Sequence, residues 1–258
     1  TITAPPAALT MSKVVTPLGC TTFGGVVITA LNGWGNYTFS VTQPDTVVLT
    51  NTNGTFSGLT QTGTYAIAVR DANGCVLTDS FTLTAPVKPT ITIDASNYCY
   101  VSDNSTTINV SATSVGAPHA VTPYEFSIDG TNWQTSGSFP GLKPGDYTIT
   151  VRDIFGCTAT ATTKINGQLF ASVENRKDLY CTGVLDGTIR VKAVGGYPAY
   201  SYTVAINGGL PSAPVAFANA AATFADYTVT AAGSYVFTVY DTKGCSYPIP
   251  AIVMTAPT

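Results

Sequence analysis

Residues 65–75 read YAIAVRDANGC, and the same design returns as YTITVRDIFGC at 147–157 and YVFTVYDTKGC at 235–245. From the Tyr to the Asp, apolar side chains fall at every second position, the pattern of a strand with one buried face. The following Asp-x-x-Gly-Cys ends that strand. An Asp carboxylate can bond backbone N–H groups just ahead of it, and Gly accepts a positive φ without a steric clash, so the segment predicts a strand running into a tight turn. Three copies spaced about 80 to 90 residues apart indicate a repeat architecture.

Other features keep the same order around each copy. A Cys comes first (Cys20, Cys99, Cys181), followed by an alternating stretch: VVITALN at 26–32, TINVSAT at 107–113 and TIRVKAV at 188–194. A bend leads into an aromatic pair, Tyr37 and Phe39, Tyr124 and Phe126, or Tyr200 and Tyr202, whose period-2 spacing puts both rings on one face. Asp129-Gly130 suits a hairpin turn. Phe56 with Leu59, Phe139 with Leu142, and Phe224 in the third copy precede Gly-x-Tyr (Gly63 and Tyr65, Gly145 and Tyr147, Gly233 and Tyr235). The expected repeats are 1–86, 87–167 and 168–258, joined by APVKPT and NGQ, the first stiffened by Pro86 and Pro89. TITAP at 1–5 resembles TLTAP at 82–86 and VMTAP at 253–257, so residues 1–5 are expected to be the tail of a preceding repeat.

Strands every 8 to 12 residues or so, separated by Gly, Pro, Asn and Asp and with no amphipathic helical stretch, predict an all-β chain of β-sandwiches. GLKPGDY at 141–147 resembles the stretch before a late strand of fibronectin type III domains, where a Tyr hydroxyl ties back to nearby backbone. The expected fold is three tandem Ig-like or fibronectin III-like sandwiches.

Charged residues make up 10% of the 258, against roughly 25% in ordinary globular proteins. With a net charge of -3 and no Lys/Arg cluster, nucleic acid and anionic membrane surfaces are not expected partners, and no apolar run is long enough to span a bilayer. Catalysis is disfavoured by scarcity: the one His, His119, sits in an insertion peculiar to the second repeat, and no nucleophile elbow, phosphate loop or zinc spacing occurs. The chain is expected not to be an enzyme and to need no cofactor.

The six Cys fall two per repeat, which suggests one disulfide in each: Cys20 with Cys75, Cys99 with Cys157, and Cys181 with Cys245. Such bonds belong outside the reducing cytosol and, in the chain-entropy model, stabilise by up to about 4 kcal/mol. Geometry raises an objection. In a seven-strand sandwich the first Cys and the turn Cys lie at opposite ends, whereas a bond needs Cα atoms within roughly 7 Å. Either the Phe-x-x-Leu segment is a loop rather than a strand, or the cysteines stay unpaired. Pairing across repeats, as Cys75 with Cys99, would have to span most of a domain. Asp71, Asp153 and Asp241 are read as turn formers, with Ca²⁺ ligation the weaker alternative because no further acid recurs beside them.

The succession Cys, Gly-x-Ile, a bend such as GGYPAYSY at 195–202, then Gly-x-Tyr-x-x-x-Val-x-Asp-x-x-Gly-Cys resembles the SprB-type repeats of Bacteroidota cell-surface adhesins, three times over. The resemblance implies a long protein exported by the type IX system, displayed at the cell surface as a filament for gliding, attachment or prey capture. Its partners would be neighbouring repeats, with lateral homo-oligomers and a surface glycan or protein as further candidates. The alternative is a carbohydrate- or protein-binding module using loop aromatics, for which Trp34 and Tyr197 are the candidates; the same rings could instead pack against the next domain.

Overall fold

The structure is a computed structural model that describes residues 7–94, 96–103, 105–116, 121–179 and 187–255, and among these the regular elements are all strands. The fold is three tandem Ig-like sandwiches. The chain divides into two compact units, Thr1–Thr92 with Ala112–Ser136 and Ile149–Thr160, and Ile93–Ser111 with Gly137–Thr148 and Ala161–Thr258. The middle repeat contributes to both.

The first repeat contains β1 (Thr10–Thr16), β2 (Gly24–Leu31), β3 (Thr38–Thr42), β4 (Val48–Asn51), β5 (Thr55–Leu59), β6 (Gly63–Arg70) and β7 (Val76–Leu83). One antiparallel sheet runs β1-β2-β5 and the other β4-β3-β6-β7. Period-2 alternation delivers Val26 and Ile28 from β2, Phe39 and Val41 from β3, Tyr65, Ile67 and Val69 from β6, and Phe81 and Leu83 from β7 to one core. Fully burying a side chain of this kind stabilises by roughly 1.5–3 kcal/mol. Tyr65 stacks on Phe81 with ring centroids 4.9 Å apart.

The middle repeat contains β8 (Thr90–Ile93), β9 (Thr107–Thr113), β10 (Glu125–Ser127), β11 (Ser138–Pro140), β12 (Gly145–Arg152) and β13 (Thr158–Ile165), in sheets ordered β11-β9-β8 and β10-β12-β13. The third contains β14 (Phe170–Lys177), β15 (Gly187–Val194), β16 (Ser201–Ile206), β17 (Val215–Ala216), β18 (Phe224–Val229), β19 (Gly233–Tyr240), β20 (Ser246–Pro248) and β21 (Ile252–Met254). Its sheets are β14-β15-β18 and β17-β16-β19-β20, with β21 also paired to β19. Pro248 ends β20 and Pro250 lies in the interruption between β20 and β21; neither has an N–H to donate to β19.

Each quoted Tyr lies two residues into its strand, and its hydroxyl donates to the carbonyl four residues earlier: Tyr65 to Gln61 at 2.8 Å, Tyr147 to Lys143 at 2.7 Å and Tyr235 to Ala231 at 2.7 Å. These are the tie-backs that GLKPGDY predicted.

Two expectations need correction. The Phe56-x-x-Leu59 segment is a strand, not a loop: β5 pairs with β2, setting Phe56 opposite Val26 and Leu59 opposite Gly24. Phe224 is not the third repeat's counterpart of Phe56. Tyr227 faces Ile189 and Val229 faces Gly187 in the same manner, while Phe224 is 46% exposed and carries the Arg190 guanidinium 4.5 Å from its ring centroid. The third repeat presents its counterpart of Phe56 three residues later than the Phe suggested.

Candidate functional site

The turn after each motif strand is built the same way three times. Oδ1 of Asp71 accepts the N–H groups of Asn73 at 3.0 Å and Cys75 at 2.9 Å. Asp153 Oδ1 accepts from Phe155 (2.9 Å) and Cys157 (2.8 Å), and Asp241 Oδ1 from Lys243 (2.9 Å) and Cys245 (3.0 Å). The Asp N–H in turn donates to the Cys carbonyl, at 3.0 Å in every copy. Gly74, Gly156 and Gly244 take φ of 87°, 73° and 80°, which a side chain would strain. The carboxylates are buried, at 3%, 5% and 7% exposure. Burial pushes the Asp71 carboxyl up, but the N–H groups of Cys75, Trp34 and Asn73 outweigh it and hold the carboxyl below the usual range.

Asp71 Oδ2 receives the N–H of Trp34 at 3.1 Å, and Asp241 Oδ2 that of Tyr197 at 2.9 Å, so these two Asp also anchor the bend before the aromatic pair, whereas among the described residues Asp153 Oδ2 makes no such bond. These bonds make the three Asp turn formers. Among the described residues no three His, Cys, Asp or Glu side chains gather as a metal site. His119, the lone imidazole of the sequence, lies outside the described residues.

The cysteines depart from expectation. Cys20 bonds Cys157, with Cα atoms 4.8 Å apart, and both belong to the first compact unit. Cys99 bonds Cys245, with Cα atoms 5.2 Å apart, and both belong to the second. Cys75 is free and exposed, and Cys181 lies outside the described residues. The pairings Cys20 with Cys75, Cys99 with Cys157, and Cys181 with Cys245 are therefore replaced by a rule in which the loop Cys of one repeat bonds the turn Cys of the next. The reason is strand parity. Five strands, β2 to β6, run between the Cys20 loop and the Cys75 turn, and an odd number of antiparallel passes puts the two at opposite ends. The objection raised by the spacing was sound, and a neighbouring repeat resolves it.

Backbone and glycine geometry fit the loop to the turn. The N–H of Cys20 donates to the Phe155 carbonyl at 3.0 Å. A Cβ on Gly19 would lie 2.6 Å from that carbonyl oxygen, and one on Gly156 would lie 1.8 Å from Thr21 Oγ1. Only hydrogen fits at either position. The second staple uses aromatic contacts instead. Tyr98, beside Cys99, meets Tyr197 edge-on with centroids 5.9 Å apart, shares a 3.0 Å hydrogen bond with the Thr163 hydroxyl, and carries Lys243 Nζ 4.5 Å above its ring.

Tyr197 is thereby committed. Its hydroxyl accepts the N–H of Asn166 at 2.8 Å and donates to the Lys164 carbonyl at 3.1 Å, tying the bend of the third repeat to the preceding linker and to β13 of the middle repeat. Trp34, half-buried, stays at the bend of the first repeat. Trp133 lies under the Arg152 guanidinium, 4.0 Å from its centroid, and Arg152 also pairs with Glu125 at 2.7 Å. An open groove of about 620 Å³ beside the first staple is lined by Leu18, Phe23, Pro86 and Lys88 among others. Lys88 is the one titratable side chain among the described residues that line it.

A scan against protein-family models matches none, and a search of curated proteins finds no relative. Among solved structures the chain is similar to the three N-terminal domains of the Highly Immunogenic Outer Capsid protein of bacteriophage RB49. The TM-score is 0.58 at 16% identity, covering 99% of this chain and 100% of that one. It is less similar to fibronectin(III)-like modules of Clostridium thermocellum CbhA (TM-score 0.37, 16% identity, 64% and 94% covered) and to extracellular domains 3–5 of Drosophila OTK (0.31, 12%, 98% and 100%). The first likeness defines the class: an array of Ig-like modules in tandem.

Proposed function

We propose that the chain is a load-bearing stalk segment of a long extracellular adhesin, which holds a binding element away from the cell rather than binding or catalysing by itself. The observation that carries this reading is the staple rule: a loop of one repeat bonded to the turn of the next, twice in succession. A disulfide within a domain stabilises that domain alone, whereas a bond to the following repeat fastens consecutive modules to each other. That is useful to a filament under tension. Disulfides of this kind persist in oxidising surroundings, which supports an extracellular location. The engagement of Tyr197 in contacts to Asn166 of the preceding linker and Lys164 of β13 supports the stalk over a module that uses loop aromatics.

The test is a binding screen of the oxidised 258-residue chain against immobilised glycans and bacterial and host surface proteins. The stalk reading expects no saturable binding. Saturable binding that disappears in Trp34→Ala would replace it with the binding module.

A further inference from the structure

The staple rule leaves the turn of the first repeat unused. Asp71 holds Cys75 in the same bonds that hold Cys157 and Cys245: its Oδ1 accepts the Cys N–H at 2.9 Å, and the Asp N–H donates to the Cys carbonyl at 3.0 Å. The two turn cysteines that have received a loop are buried, Cys157 at 1% and Cys245 at 7% exposure, while Cys75 is free and exposed. The receiving turn is fully built and lacks only its loop. At the other end of the pattern Cys181 occupies the sequence position of Cys20 and Cys99, ahead of β15 as they are ahead of β2 and β9, and Tyr180-Cys181 repeats Tyr98-Cys99. Every turn cysteine within the chain is accounted for without it, since Cys157 and Cys245 are bonded elsewhere and Cys75 is free.

We infer that Cys75 is the receiving half of an outer staple whose donor is the loop cysteine of another repeat of this kind, so that the chain joins head to tail with a second copy through Cys181 and Cys75. The chemistry is two successive thiol–disulfide exchanges. The Cys75 thiolate attacks a disulfide oxidant, oxidised glutathione in the test, forming a mixed disulfide and releasing one glutathione. The Cys181 thiolate then attacks that bond, forming Cys75–Cys181 and releasing the second. Two thiol protons leave to solvent and two electrons pass to the oxidant. The same donor could sit in a second molecule or in a preceding repeat of one chain, and the two sources are separable. In a fusion of two whole copies, Cys181 of the first and Cys75 of the second lie about 152 residues apart, close to the 137 and 146 of the two existing staples.

This inference rests on the array reading above, and the experiment separates the two. The 258-residue chain and the two-copy fusion are incubated with oxidised glutathione, run on non-reducing gels and mapped by digestion and mass spectrometry. The expected result is a ladder of multimers from the single chain and a within-chain Cys181–Cys75 bond in the fusion. Cys75→Ser should abolish every species above monomer, and reductant should collapse the ladder. Monomer whose Cys75 carries only glutathione, or dimers joined Cys75 to Cys75, would overturn the outer staple. The same digest reports Cys20–Cys157 and Cys99–Cys245: their presence without the ladder sinks the outer staple alone, and their absence sinks the stalk reading as well.

Discussion

Pulling the chain by its ends offers a direct reading of the staple rule, with Cys75→Ser as the perturbation. The two covalent loops overlap, since Cys99 lies inside the loop closed by Cys20 and Cys157. The shortest covalent path therefore runs from the N-terminus to Cys20, crosses to Cys157, returns to Cys99, crosses to Cys245 and continues to the C-terminus. That path holds about 90 of the 258 residues. At about 3.5 Å per residue the oxidised chain should reach a limit near 310 Å, and the reduced chain one near 900 Å. One disulfide per repeat would hide a similar length, so the wild-type limit does not decide between the schemes. Cys75→Ser does. Under the staple rule it leaves the oxidised limit unchanged. If Cys20 were bonded to Cys75, releasing that loop of 55 residues would lengthen the limit by about 190 Å. The assay is single-molecule force spectroscopy with handles at both termini, attached without cysteine chemistry, and with and without reductant. A lengthening of that size in Cys75→Ser refutes the pairing.

Other expectations follow from the same geometry. The native chain should be four hydrogens lighter before reduction than after, and reductant should lower its melting temperature by roughly 10 °C or more, given about 5 kcal/mol of chain-entropy stabilisation per loop of this size; calorimetry and intact mass check both. Gly19→Ala should reduce the yield of Cys20–Cys157 on refolding and leave Cys99–Cys245 unchanged, because its Cβ meets the Phe155 carbonyl oxygen at 2.6 Å; the readout is peptide mapping. Tyr65→Phe removes the hydroxyl bond to Gln61 and should destabilise the first repeat by about 1 kcal/mol in denaturant melts. The Asp71 carboxyl lies below its ordinary value in the folded chain, so the stability it contributes is present above its unfolded pKa, near 4, and is lost as pH falls through the lower folded value. Melts between pH 6 and 2 should show that loss below about pH 4, with a shallower slope in Asp71→Asn.

Much of the fold was legible because it is written in local terms. Period-2 alternation from the Tyr to the Asp located β6, β12 and β19, which begin two residues earlier at the Gly of Gly-x-Tyr, and Asp-x-x-Gly-Cys named a turn whose bonds all lie within five residues. The Tyr tie-backs span four. The disulfide partners were not legible, because each pair joins residues 137 or 146 positions apart and is fixed by which end of one sandwich meets which end of the next. Strand parity was nonetheless readable, and it pointed against the within-repeat pairs. Phe224 misled because residue type was weighed above register: only the pairing with β15 shows that Tyr227 and Val229 fill the places of Phe56 and Leu59. Tyr197 stood out in the sequence as an aromatic at the bend, with a ligand or the next domain as its alternatives; its hydroxyl bonds to Asn166 and Lys164 face the preceding segment, a contact with no local sequence signature.

The offset in the staples also bears on how such a chain matures. Cys20 cannot close its bond until another 137 residues have been made and the following turn has taken shape, because the sulfurs meet only when the Cα atoms come within a few ångströms. As the chain is made from the N-terminus, the first and second repeats thus each wait for a successor, and a closed loop cysteine marks a successor that has folded. A misfolded repeat would leave an open loop thiol in the repeat before it, a chemical mark that a thiol-reactive probe can read.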